Sequence, residues 1–115
     1  MKLDEYKLVF KQETEGEDSL EQPYHRVTTY ECPLTELKQG ETVPFKTKDG
    51  WEYKPSFGEP KFVCKAVDTD GVLLCFAGNE DANIPFKTTE DKWKYYHDTG
   101  GRSSDTYRMF LKPIE

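Results

Sequence analysis

Residues 61–77 hold the sequence feature that most limits what this chain can fold into. Two apolar runs are joined there through Asp70-Gly71. Aspartate followed by glycine between hydrophobic runs predicts a tight β-hairpin, because both residues tolerate the positive φ that a two-residue turn requires. The second run contains adjacent Leu73 and Leu74, so both faces of that strand are expected to be buried. The segment therefore predicts a central antiparallel hairpin on which the rest of the chain packs.

The remaining segments with alternating, β-branched or aromatic residues extend this β-structure. They predict strands at residues 6–11, 24–32, 43–48, 51–54, 84–88, 93–97 and 106–112. A second pair, Asp49-Gly50, predicts another hairpin. Pro33 in a first turn and Gly40 as a stop predict one short helix near residues 33–39. The alternative for residues 93–97 is a short helix capped by Thr88 and Asp91.

These predictions together describe an all-β or mainly β fold. We expect a single domain over residues 1–115, built as an antiparallel β-barrel or sandwich of about nine strands. Two stretches also resemble each other, which suggests a pseudo-twofold repeat of about 45 residues. The similar stretches are Val43–Thr47 followed by Trp51 and Tyr53, and Ile84–Thr88 followed by Trp93 and Tyr95.

The charge of the chain restricts the kind of partner. The formal net charge is −6 and the sequence pI is about 5.0, which argues against nucleic-acid binding and permits a basic protein partner. Met1–Gln22 contains three lysines and seven acidic residues. Carboxylates that repel one another predict a solvated acidic loop at residues 13–22. By composition, residues 98–105 predict a flexible loop.

Cysteine usage and hydropathy bear on localisation. The chain has three cysteines, an odd number without a CxxC motif, which favours reduced thiols packed as small hydrophobic groups. The alternative is a cross-strand disulfide between Cys64 and Cys75 in an exported protein. The first residues lack the apolar core of a signal peptide, and no run approaches the ~20 apolar residues of a membrane span. We therefore expect a cytoplasmic protein that does not bind membranes.

No motif predicts a metal, a cofactor or a catalytic residue. His25 and His97 do not have the spacing of a zinc site. Asp98-Thr99-Gly100 has the letters of an aspartic-protease motif, but its hydrophilic surroundings do not provide the apolar pocket that such carboxylates need. A small hydrolase that uses the 97–105 loop, with Ser103, His97 and Asp105, is one alternative function.

The leading hypothesis is a non-enzymatic protein-binding module. It would be an inhibitor or immunity-type protein that neutralises a more basic partner, with carboxylates that accelerate association. Tyr96 is predicted to be exposed, because in a strand it points away from its neighbour Tyr95. The sequence predicts no oligomeric state. The predicted partner-binding residues are Glu15, Glu17, Asp18, Glu21, Tyr96 and Arg102.

The other alternative is a carbohydrate-binding β-module of an exported protein. Trp51 and Trp93 would be stacking platforms, with Tyr53 and Tyr95 beside them. Large aromatic side chains are also common in protein cores, so the two tryptophans are alternatively expected to fill the ends of a barrel.

Overall fold

The computed structural model describes residues 2–56, 58–98 and 103–114. In these ranges seven strands form two antiparallel sheets. A four-stranded sheet has the order β2-β1-β7-β6, and a three-stranded sheet has the order β3-β4-β5. The mainly β fold is confirmed, but the described strands number seven rather than nine, and the two open sheets do not form a closed barrel. The strands are β1 (Tyr6–Glu17), β2 (Pro23–Pro33), β3 (Phe62–Asp68), β4 (Gly71–Phe76), β5 (Asn79–Phe86), β6 (Lys92–Asp98) and β7 (Ser103–Pro113).

The two sheets share one hydrophobic core that is rich in aromatic rings. The ring centroid of Phe62 in β3 lies 5.3 Å from that of Phe10 in β1 and 5.2 Å from that of Trp93 in β6. Both pairs have the edge-to-face geometry that aromatic rings favour. Every second residue of β7 is buried, as expected for a strand with one face on a core. The rings therefore join the two sheets.

The central hairpin is confirmed, with its turn one residue earlier than predicted. Asp68 pairs with Gly71, so the two loop residues are Thr69 and Asp70. The Asp68 carboxylate accepts a hydrogen bond from the backbone N–H of Asp70 at 2.7 Å. Gly71 is the first residue of β4 and has a φ of 134°. The glycine therefore starts the returning strand instead of occupying the turn.

The helix predicted near residues 33–39 is wrong. Only Leu34–Glu36 forms a 3-10 turn, and Leu37 is already extended. The preceding Pro33 makes no side-chain cap, so nothing holds the orphan N–H groups of a longer helix. A second 3-10 turn covers Leu3–Glu5. No helix in the described ranges is long and apolar enough to cross a membrane. Residues 93–97 lie in strand β6, as predicted, and not in the alternative helix.

The second Asp-Gly hairpin is confirmed only as a turn. Gly50 donates its backbone N–H to Thr47, and Thr47 donates to Trp51. The flanking residues form isolated bridges instead of the strands predicted at 43–48 and 51–54. Lys46 instead uses its backbone groups to bond Glu31 at the edge of β2. The two stretches of the suggested repeat therefore differ, because residues 84–88 and 93–97 overlap strands of separate sheets.

Both predicted loops are strand in part. Residues 13–17 continue β1, and only residues 18–22 separate it from β2. The acidic run tolerates a strand because its glutamates alternate with Thr14 and Gly16, so the carboxylates lie on one face beside cationic partners. Asp98 ends β6, and residues 103–105 begin β7. Residues 99–102 lie outside the described part of the chain.

The three cysteines are buried and unpaired. Cys64 pairs with Leu74, whereas Cys75 pairs with Val63, so the two thiols lie on opposite faces of the sheet. The predicted alternative of a Cys64–Cys75 disulfide is therefore wrong. Burial raises the pKa of the Cys32 thiol to about 12, and burial also raises the pKa of Cys64.

We expect the native protein to react slowly with a thiol reagent such as dithionitrobenzoate, because thiolates are the reactive species and these thiols are buried. After unfolding in guanidinium, three thiols per chain should react within minutes. Absorbance of the released thionitrobenzoate measures both stages. Recovery of one thiol from unreduced, unfolded protein would contradict the absence of a disulfide.

Candidate functional site

The β1–β2 hairpin places three carboxylates of the predicted acidic loop on one face of the four-stranded sheet. Glu15 pairs with His25, and Glu17 pairs with Pro23. Glu13, Glu15 and Glu17 are two residues apart along β1, so their side chains share a face. The strand thus gives a fixed spacing to carboxylates that the sequence alone assigned to a loop.

Cationic neighbours hold one of these carboxylates in place. The Glu13 carboxylate lies 2.8 Å from His25 Nε2 and accepts a hydrogen bond from Arg108 Nη1 at 3.0 Å. Hydrogen bonds from His25 and then Arg108 lower the pKa of Glu13 below its usual value. Glu15 is more exposed, and its nearest carboxylate oxygen lies 3.8 Å from His25 Nε2. Glu13 is therefore engaged within the sheet, whereas Glu15 is presented to solvent.

The turn at residues 18–22 is ordered by its own hydrogen bonds. The Asp18 carboxylate accepts from the backbone N–H groups of Leu20 at 2.8 Å and Gln22 at 3.0 Å. The backbone N–H of Asp18 also donates to the carbonyl of Gln22 at 3.0 Å. Glu21 has a φ of 60°, which is uncommon for a residue other than glycine. This turn fixes the end of the hairpin next to Glu17.

An open groove, which we call the acidic groove, lies where this hairpin meets the ends of β6 and β7. Its volume is about 550 Å³. Three of the predicted partner-binding residues line it: Glu15, Glu17 and Tyr96, whose side chain is 60% exposed. The lining residues are Glu15, Gly16, Glu17, Pro23, Tyr96, Asp98, Ser103 and Ser104.

The other predicted partner-binding residues are not among the described residues that line the acidic groove. Asp18 and Glu21 lie in the adjacent turn and do not line the groove. Arg102 lies outside the described residues. Sequence reasoning did not assign Asp98 or Ser104 to this site. Their place follows from the register, in which Asp98 pairs with Ser104 and Ser104 pairs with Glu15.

Among the described residues, one set of side chains has donor atoms close enough together to hold a metal ion. Atoms of Glu13, Glu15 and His25 lie within 4.8 Å of one another. Carboxylate and imidazole groups suit zinc and similar divalent ions. Glu13 already interacts with both His25 and Arg108, so an ion there would compete with existing contacts.

The four aromatic residues predicted as an alternative ligand platform do not form one surface. Trp51 is 74% exposed on its turn. Tyr53 packs edge-on against Phe10 at 4.9 Å, and burial raises its pKa. Trp93 stacks on Tyr95 with ring centroids 6.0 Å apart. Trp93 packs against the core and Trp51 does not, so a single stacking surface would not include both.

Two residues of the alternative hydrolase, His97 and Asp105, lie close together. His97 and Asp105 face each other in register on β6 and β7. The Asp105 carboxylate accepts a hydrogen bond from the Thr14 hydroxyl, while His97 Nδ1 is buried and has no hydrogen-bond partner in the described structure. A hydrolytic triad needs its carboxylate on that ring nitrogen to orient the imidazole. In the described structure, His97 Nδ1 and the Asp105 carboxylate are therefore not linked in this way.

A polar network holds Ser56 and Glu59 against the four-stranded sheet. The Glu59 carboxylate accepts hydrogen bonds from the Tyr107 hydroxyl at 2.9 Å and from Gln12 Nε2 at 3.0 Å. Its other oxygen accepts from the backbone N–H of Ser56. Burial, followed by the Glu59 hydrogen bond, raises the pKa of Tyr107. Bonds of this kind satisfy partly buried polar groups and hold the segment in position.

Comparison of the chain with models of known families, with curated proteins and with solved structures found no match. The functional argument therefore depends on the geometry and charge described above.

Proposed function

We propose that this protein is a non-enzymatic binding module that holds a basic segment of a partner protein in the acidic groove. Inhibitors and immunity-type proteins that neutralise a basic partner act in this way. One observation carries the proposal. Glu15 and Glu17 line the same groove as Tyr96, which is distant from them in sequence.

The charge and order of this surface support binding to a basic segment. Carboxylates clustered on one surface raise the rate of association with a cationic partner. The hairpin is ordered by the Asp18 turn, so little conformational entropy would be lost on binding. Tyr96 adds a rigid and largely exposed ring, the type of residue that often dominates the energy of an interface.

We further propose that the module works in the cytoplasm. Buried, unpaired cysteines support this, since reducing compartments keep thiols free.

A binding role is favoured over catalysis because His97 Nδ1 makes no hydrogen bond to the Asp105 carboxylate.

The test uses a fluorescein-labelled peptide of four Arg-Gly repeats as a basic probe. Replacing Glu15→Gln and Glu17→Gln together should weaken binding about fivefold at low salt, because two exposed ion pairs together contribute about 1 kcal/mol. The slope of log Kd against log salt concentration should also become shallower. Fluorescence anisotropy at several salt concentrations measures both effects.

The matched control is the double variant Glu80→Gln and Asp81→Asn. It removes the same charge from exposed positions of β5. The control should bind the probe as the unmodified protein does. Equal weakening in both double variants would show that only net charge matters, which would contradict a specific groove. The additional variant Tyr96→Ala should weaken binding without changing the salt slope.

A further inference from the structure

We infer that the free edge of β6 accepts an extended segment of the partner as a fifth strand of the four-stranded sheet. The segment would run antiparallel to β6, with basic residues at its amino end and acidic residues at its carboxyl end. This inference rests on the proposed function, because the basic end would occupy the acidic groove.

Parts of two other sheet edges are covered by the chain itself. On β2, Glu31 exchanges backbone hydrogen bonds with Lys46 at 2.7 and 3.1 Å. On β3, Cys64 accepts from Gly40 at 2.7 Å, and Phe62 accepts from Val43 at 3.0 Å. Proteins commonly cover sheet edges, since unpaired N–H and C=O groups are a template for another strand.

The edge of β6 is not covered in this way over residues 92–97. Within the described ranges, the backbone groups of these residues form ladder hydrogen bonds only with β7. Five of its seven residues are exposed, among them Tyr95 and Tyr96. The free edge of β5 is a poorer acceptor, because Pro85 has no N–H and the register shifts near Cys75. Strand addition is therefore favoured at β6.

The order of charges along β6 predicts the partner segment. Lys92, Lys94, Tyr96 and Asp98 alternate with inward residues, so they share the outer face. Side chains directly opposite on neighbouring strands lie about 4.5–5.5 Å apart and favour opposite charges. A basic residue thus suits the position opposite Asp98, near the groove, and acidic residues suit the positions opposite the lysines. We choose the antiparallel direction because every strand pair in both sheets has it.

The probe for this inference is a capped peptide, Arg-Val-Arg-Thr-Glu-Val-Glu. Its control has the same composition with the arginines and glutamates exchanged. In ¹⁵N-labelled protein, the first peptide should shift the amide signals of residues 92–98 while those of residues 79–86 stay in place. It should bind at least about tenfold more tightly than the control, because three cross-strand charge pairs, at Lys92, Lys94 and Asp98, change from favourable to unfavourable.

Backbone methylation separates strand addition from charge attraction. One derivative carries N-methyl groups on the arginines and glutamates, and the other carries them on the valines and threonine. Alternate N–H groups of a strand point to opposite edges, so exactly one derivative should lose at least about tenfold in affinity. The other has its methyl groups toward solvent and should bind unchanged.

The outcomes separate this inference from the proposed function. If both methylated peptides bound equally, while Glu15→Gln with Glu17→Gln still weakened the Arg-Gly probe, strand addition would be overturned and the groove would stand. Tighter binding of the charge-exchanged peptide, or no shift of residues 92–98, would also overturn the inference. If the Arg-Gly probe bound the Glu15→Gln, Glu17→Gln variant as tightly as the unmodified protein, the proposed function itself would be overturned.

Discussion

Replacement of Phe10 by alanine is expected to reduce the free energy of unfolding by about 3–5 kcal/mol. The Phe10 side chain has no exposed surface and lies at the centre of the aromatic core. Alanine would leave a cavity that the rigid neighbouring rings cannot fill by small movements. The rings with centroids near that of Phe10 belong to Tyr30, Phe45, Tyr53, Phe62 and Tyr107.

Urea denaturation followed by tryptophan fluorescence measures this loss. The control is Leu20→Ala, which removes an apolar side chain that is 76% exposed on the hairpin turn. We expect the control to change stability by no more than about 0.5 kcal/mol. A loss below about 1 kcal/mol for Phe10→Ala would contradict the central position of this ring.

Replacement of Gly71 by alanine is expected to cost about 3 kcal/mol or more. An added Cβ would lie 2.5 Å from the carbonyl oxygen of Phe86, a backbone atom of the neighbouring strand β5. The φ of 134° at Gly71 adds strain for any side chain. Relief of this overlap requires β4 and β5 to separate, so the central hairpin would be disturbed as a unit.

Gly50→Ala is the matched control for this glycine. Gly50 also has a positive φ, of 88°, but no atom lies within 4 Å of its added Cβ. The control therefore suffers only the backbone strain, about 1–2 kcal/mol. Thermal unfolding by circular dichroism should place Gly71→Ala well below Gly50→Ala. Equal melting temperatures would show that the approach of β5 does not matter.

Local sequence patterns predict the strands of this fold better than its loops. The alternation in Tyr6–Lys11 and in Thr106–Lys112 predicts strands because one face of each lies on the core. The acidic residues 13–17 are assigned to a loop because charge density is judged without partners. In the fold, His25 and Arg108 lie beside Glu13 and make a strand acceptable. Such contacts between distant segments cannot be read from local composition.

The sequence predicts the residue types of the candidate site but not their convergence. The residue types of Glu15, Glu17 and Tyr96 predict an acidic surface and an exposed ring, and the ring is indeed largely exposed. Their convergence depends on the order β2-β1-β7-β6, which brings Tyr96 to the same end of the sheet as residues 15–17. Strand order is a long-range property, and no spacing along the chain predicts it here.

The segment from Gly40 to Lys46 bonds to β3 near one end and to β2 near the other. A single short stretch of chain thus belongs to the hydrogen-bond ladders of both sheets. A protease that cleaved within this segment would weaken the connection between the two sheets. It would also expose the edges of β2 and β3 at the same time. Aggregation after limited proteolysis would therefore begin at these two strand edges and not at the acidic groove.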